Sequence, residues 1–309
     1  MVPLTTPPRS RGAMTAHSPD PERRSARAAA PTFEHEGVTY PAAAVVDALS
    51  PLISPQRLSR LREVLARRLT SVRLAVEDLH HEHNGAACIR TAEGLGVQTI
   101  MAAELRNPYP VPSEEGAAGA AGAAGAAGAA GAAGGEGRAW SGKVKGALRS
   151  GAIPRAISTS AHRWVDLERY PSGVALVRAA QAQGFQVFGA GPRATHTLRD
   201  LPAHAPVALL FGNEADGLRE DTMAACDGVF RIPMYGFTES FNLSVTAGMA
   251  LEQVCARVRD RLAAEGRGGE LDDDELAARL AVWVSREFKP KDLGPLLRRL
   301  AAPDPGGRG

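Results

Sequence analysis

Three polar side chains between Pro206 and Val254 sit where chemistry is plausible on sequence grounds: Glu214, Ser240 and Asn242. The apolar run Val207 to Phe211 is stopped by Gly212 and Asn213, so it reads as a buried strand ending in a turn. Glu214 is then a carboxylate just past that strand end. A second short strand, Val229 to Pro233, leads into a glycine-containing loop from Met234 to Glu239. Beyond it, Val245, Met249, Leu251 and Val254 recur at roughly helical spacing, and Ser240 and Asn242, both good N-cap types, stand where that helix begins. Two strand ends and one helix N-terminus therefore converge on a single crevice, which is where open α/β sheets bind ligands.

The segments LLFGNEADGL and RIPMYGFTESFNLSV resemble two signature motifs of the SpoU/TrmH family of RNA ribose 2'-O-methyltransferases, within the SPOUT class. The family's first motif, an asparagine followed six positions later by an arginine, is matched upstream in HNGAACIRTAEGLGV by Asn84 and Arg90. The likeness runs over roughly residues 54 to 300, excluding a Gly/Ala-rich insertion. Its departures are Gly85-Ala86, where many members have Leu-Ser, and Phe241, where many have Leu; neither removes a proposed reacting group.

The resemblance implies S-adenosyl-L-methionine as cofactor, bound by backbone groups around Gly212, Ile232 and Phe241 and at the strand end Ala190. It implies that Glu214, Ser240 and Asn242 form a polar floor, with Glu214 holding Asn242 or the neighbourhood of Arg90. Transfer from a sulfonium to a 2'-hydroxyl is an in-line substitution that demands alignment and help in losing a poorly acidic proton. Arg90 is the residue assigned to that proton, and Asn84 accompanies it. Six positions apart on one helix, the two project to different sides; a helix starting at Asn84 would be capped by it. The implied substrate is RNA, first guanosine-18 in the D-loop of tRNA; a ribosomal RNA ribose, or RNA binding without catalysis, are the alternatives. The implied fold is a SPOUT-type trefoil-knotted α/β domain with a mostly parallel sheet and flanking helices, working as a homodimer.

Several elements must position these groups. Ser54 and Pro55 open an amphipathic helix with Leu58, Leu61, Leu65 and Leu69 on one face, and Arg57, Arg60, Arg67 and Arg68 on the rest of its surface. Arginine forks suit phosphates, and an arginine-rich helix before the first motif is a family trait, so these four are RNA-binding candidates. Strands are expected over 71–79, 96–103 and 185–190, with a helix over 173–184; alternating strands and helices imply a mostly parallel sheet. His80, His81 and His83 with Glu82 lack a partner cluster at metal-ligand spacing, so no metal is expected.

The expected organisation is a basic tail over 1–31, an N-terminal helical extension over 32–70 and the methyltransferase domain over 71–256. Gly-Ala-Ala repeats fall within an insertion at 107–137; a C-terminal helical extension covers 257–300 and a Pro/Gly tail 301–309. At 309 residues and 44% hydrophobic, the chain buries a sizeable core. A net charge of +2 gives no global sign of nucleic-acid binding, so any such affinity rests on local basic clusters. Cys88, Cys226 and Cys255 show no CxxC or metal-finger spacing, and the start lacks the apolar stretch of a signal peptide. A cytoplasmic protein with reduced thiols and no membrane span is expected.

Overall fold

The computed structural model describes residues 30–109 and 161–301, apart from 193 and 195. The basic segment from Trp140 to Arg155 and most of the Gly/Ala insertion lie outside the described residues, as do both tails beyond Ala30 and Ala301.

The centre is a seven-stranded, all-parallel sheet. A short N-terminal hairpin supplies β1 (Thr32–His35) and β2 (Val38–Pro41). The sheet strands are β3 (Leu69–Glu77), β4 (Val97–Ala103), β5 (Asp166–Tyr170), β6 (Gln186–Ala190), β7 (His196–Thr197), β8 (Val207–Phe211) and β9 (Gly228–Arg231). Their spatial order is β5-β4-β3-β8-β6-β9-β7. The helices are α1 (Ala42–Leu49), α2 (Pro55–Leu65), α3 (Glu82–Gly94), α4 (Gly173–Ala182), α5 (Glu220–Ala225), α6 (Leu243–Ala264), α7 (Asp273–Ser285) and α8 (Pro290–Ala301).

Side chains alternate across the pleat, and β8 shows what that does here. Val207, Leu209 and Phe211 enter a core with α3 and α6 residues such as Ile89, Ala247 and Leu251. Ala208 and Leu210 enter the opposite core, with Leu176, Val177 and Ala180 of α4. The run is apolar throughout because both faces are covered. A third core joins the two chain ends: Val45 and Leu49 of α1 and Leu61 and Leu65 of α2 pack with Trp283 of α7 and Leu297 of α8.

Two expectations change. The N-terminal extension is not purely helical, since it opens with the β1–β2 hairpin; the turn has Glu36 at φ 49° and Gly37 at φ 79°, the pair of positive values of a type I′ hairpin turn. The basic helix α2 starts as expected, with Ser54 accepting from the Arg57 amide, but it ends at Leu65. Leu69 is the first residue of β3, so Arg67 and Arg68 lie off the helix, in the connection to the sheet.

Candidate active site

The carboxyl ends of β3, β8, β6 and β9 adjoin one another, and the loops leaving them build the site. After β8 the chain folds tightly on itself: Asn213 and Gly217 exchange backbone hydrogen bonds of 3.0 and 2.9 Å, and Gly217 takes φ 70°. A Cβ on Gly212 would lie 2.1 Å from the carbonyl carbon of Gly217 and the nitrogen of Leu218, so only glycine closes this loop.

The closed loop presents Glu214 to the start of α3. Its carboxylate accepts from the backbone amides of His80 (3.0 Å) and His81 (3.2 Å), the residues just before that helix, and from the Asn84 side-chain amide at 2.7 Å. Asn84 in turn accepts, through Oδ1, from the Asn242 amide at 3.0 Å. Asn242 caps α6 with its own oxygen, which accepts from the Ser244 amide at 2.9 Å and the Ser244 hydroxyl at 2.7 Å. A carboxylate, two amides and a helix N-terminus thus form one chain of hydrogen bonds linking the loop after β8, helix α3 and helix α6. Burial is the largest single influence on Glu214 and pushes its pKa up. The donors from Asn84, His80 and His81 together outweigh it and hold the group below its ordinary value.

Two alternatives are decided here. Asn84 does not cap α3; His81 holds the N-cap position, and Asn84 is buried in the first turn, where its side chain is free to bridge Glu214 and Asn242. Asn242, not Ser240, caps α6, which leaves Ser240 exposed two residues earlier.

Asp78 and Asn213 support the site and were not singled out from the sequence. Buried Asp78, at φ 51°, accepts from the Arg106 amide and side chain and the Asn107 amide (2.8, 2.6 and 2.8 Å), while its carbonyl accepts from the Asn213 side chain at 2.7 Å. The available signal was a second carboxylate directly after Glu77, at the end of an apolar strand.

The four cofactor candidates collect at neighbouring strand ends. Ala190 closes β6 opposite Phe230 of β9, Ile232 follows β9, Gly212 follows β8, and Phe241 precedes the α6 cap. Among the described residues, the backbone of Met234 to Phe241 makes no hydrogen bond to the rest of the fold, so its donors and acceptors remain available. Tyr235 and Phe237 on this loop are fully exposed.

Arg90 stands apart. It is exposed, about 120° round α3 from Asn84. It faces a cavity of about 340 Å³ shared with Arg57, Arg60, Glu93, Trp164 and Trp283. The basic cluster is likewise divided. Arg60 and Arg67 are exposed, whereas Arg57 is paired with Glu287 at 2.7 Å and lies over the Trp164 ring at 5.2 Å. Arg68 is fully buried against Glu93 and Trp283, which removes it from the RNA-binding set: no phosphate reaches its guanidinium. Burial lowers its pKa, opposed by the charge and hydrogen bond of Glu93.

The sequence profile described as the SpoU rRNA Methylase family matches residues 144–252. The chain is 28% identical over 198 residues to the tRNA (guanosine(18)-2'-O)-methyltransferase of Thermus thermophilus, covering 63% of this chain and 79% of that one. It is also 28% identical over 203 residues to the 23S rRNA (guanosine-2'-O-)-methyltransferase RlmB of Vibrio parahaemolyticus, covering 66% and 65%. The crystal structure of the A. aeolicus TrmH/SpoU tRNA modifying enzyme superposes with a TM-score of 0.55 at 24% identity, over 75% of this chain and 97% of that one. That likeness is one of fold.

Proposed function

We propose, since this chain carries a SpoU methylase domain, that it transfers a methyl group from S-adenosylmethionine to a ribose 2'-hydroxyl of RNA. The observation that carries the reading is the hydrogen-bonded chain from Glu214 through Asn84 to Asn242, set at the carboxyl ends of parallel strands beside the unpaired backbone of the loop before α6. Those free amides and carbonyls, with Ala190, Ile232 and Phe241 as apolar walls and the glycine-closed turn at Gly212, suit a ligand combining an adenine, a ribose and an amino acid. S-adenosylmethionine, when bound, supplies the electrophilic methyl.

The protein's own task is alignment. Glu214, Asn84 and Asn242 fix the mouth of α6 against α3, and we assign the exposed Ser240 hydroxyl, two residues before the Asn242 cap, to the entering ribose. Arg90 is the group for the 2'-hydroxyl: its planar fork touches a substrate phosphate and the hydroxyl together and polarises the O–H bond, while the hydroxyl proton leaves to solvent as the methyl arrives. Because Arg90 projects away from Asn84 within its own protomer, we assign it to the ribose held by a partner protomer in a homodimer. Val245 and Met249, four residues apart on α6 and 48% and 40% exposed, together with Phe241 just before the helix cap, 40% exposed, supply an apolar patch for that association. The trefoil knot belongs to the same proposal. So does a cytoplasmic setting, which suits three free cysteines whose thiol pKa values burial pushes up to about 12.

The substrate proposed is guanosine-18 of tRNA, following the Thermus relative; Arg60 and Arg67 are the exposed members of the basic cluster that would meet its phosphates, with Arg57 beside them. The similarity to RlmB favours a ribosomal RNA ribose as the second reading. Mapping 2'-O-methyl nucleotides in cells with and without the protein decides between them. Loss at position 18 of tRNA supports the first, loss at one 23S site supports the second, and no change in either RNA refutes both.

A further inference from the structure

We propose that Arg68 is a positioning residue whose task is to hold Glu93 away from Arg90. The inference rests on the reading of Arg90 as the arginine that meets the 2'-hydroxyl.

Arg90 and Glu93 are three residues apart on α3, the spacing at which opposite charges pair on a helix surface, and both line the same cavity. Yet among the described residues Arg90 has no hydrogen-bond or ion-pair partner. The carboxylate of Glu93 is turned onto Arg68 instead, with Nη2 to Oε1 at 3.0 Å, while Nη1 donates to the Glu93 carbonyl at 3.1 Å. Arg68 is fully buried with its guanidinium 5.0 Å from the Trp283 ring centre, so ring, carbonyl and carboxylate fix it at once. A flexible, exposed Arg90 offers Glu93 no comparable geometry.

The other cavity arginines are matched in the same way. Arg57 has Glu287 at 2.7 Å, and Arg60 has Glu63 at 3.6 Å. Each nearby carboxylate therefore has its own cation, and Arg90 is left with its full fork for a ligand. Without Arg68, the Glu93 side chain, 25% exposed, would be a partly buried anion with Arg90 one turn away. It would then capture the arginine that the reaction needs.

The test uses the full-length protein and the arginine reagent phenylglyoxal, with labelling of Arg90 read by peptide mass spectrometry alongside single-turnover methyl transfer to tRNA. Arg68→Met should slow Arg90 labelling and methyl transfer by about three- to fivefold, the upper end of the range for exposed ion pairs, as suits a carboxylate only 25% exposed. Arg68→Met with Glu93→Gln should restore both to within about twofold of wild type, a rescue that simple loss of packing would not give. Unchanged labelling in Arg68→Met overturns the proposal, as does a decrease that Glu93→Gln fails to reverse. If Arg68→Met does not fold, Gly94→Glu replaces it: Gly94 is exposed, nothing lies within 4 Å of an added Cβ, and the new carboxylate sits four residues from Arg90 with no arginine holding it. It should slow labelling while Gly94→Gln does not, and equal rates for the two overturn the proposal. Labelling needs neither RNA nor cofactor, so the expected labelling pattern in a protein that transfers no methyl group would sink the functional reading alone.

Discussion

Asn84→Asp tests the hydrogen-bonded chain at its middle link, because the substitution keeps the shape and removes the donor. Wild-type Asn84 donates to Glu214 at 2.7 Å and is buried. With aspartate there, two carboxylates face each other. Losing a hydrogen bond to a charged acceptor costs about 1.5–3 kcal/mol. If the side chains relax to about 4 Å, their repulsion adds roughly 4 kcal/mol at an effective dielectric of about 20. Protonation limits the damage. Placing one proton on the pair at pH 7 costs about 1.4 kcal/mol for each unit between pH 7 and a carboxylate pKa near 4.3, about 4 kcal/mol in all, and restores a donor. The expected destabilisation is therefore about 3–4 kcal/mol at pH 7.

The sign with pH follows. The folded pair in the variant has one pKa raised above its unfolded value, so its stability is fully present below the unfolded carboxylate range and is lost as pH rises through the raised value. The deficit relative to wild type should shrink by about 1.4 kcal/mol per unit as pH falls from 7 towards 4.5. Denaturant unfolding from pH 4.5 to 8, on wild type, Asn84→Asp and Asn84→Ala, measures it. Wild-type Glu214, with its pKa held down, contributes in the opposite sense: its stability is present above its unfolded pKa and fades as pH falls through the folded one. A pH-independent deficit in Asn84→Asp between pH 5 and 8 would refute the link between Asn84 and Glu214.

Arg90→Lys keeps the charge and loses the fork, so turnover should fall on the order of a hundredfold with cofactor and tRNA binding almost unchanged; single-turnover rates within a few-fold of wild type would make Arg90 structural. Gly212→Ala drives a methyl into the backbone of Gly217 and Leu218, which should cost about 3 kcal/mol in thermal unfolding and abolish calorimetric binding of S-adenosylmethionine. Replacing Arg57, Arg60 and Arg67 together with glutamine should weaken tRNA binding and flatten its logarithmic salt dependence by about 0.7–0.9 for each lost phosphate contact; an unchanged slope removes them from the interface.

The sequence determined most of the sheet. Val207–Phe211 was legible to the residue, because a strand covered on both faces must be continuously apolar, and Gly212 and Asn213 mark where it stops. The end of β6 at Ala190 was legible too, whereas β3 and β9 stop two residues short of the expected ends, at Glu77 and Arg231; Asn84, Arg90 and Glu214 were named by motif likeness. Local pattern misled where an element's end is set from outside. Nothing in LARRL separates helix from strand, and α2 stops at Leu65 because Leu69 donates its amide to Gly96 and enters the sheet, while Glu270, two hundred residues away, takes the amides of Thr70 and Ser71. Tertiary structure alone decided the partners. Arg57, Arg60, Arg67 and Arg68 are one residue type in one short stretch, yet burial under Trp283 turns Arg68 into a clamp on Glu93 while Arg60 and Arg67 stay in water. The same holds for Asn84: helical spacing gives the direction of a side chain, but the carboxylate it meets lies 130 residues further along the chain and is brought there by the packing of parallel strands.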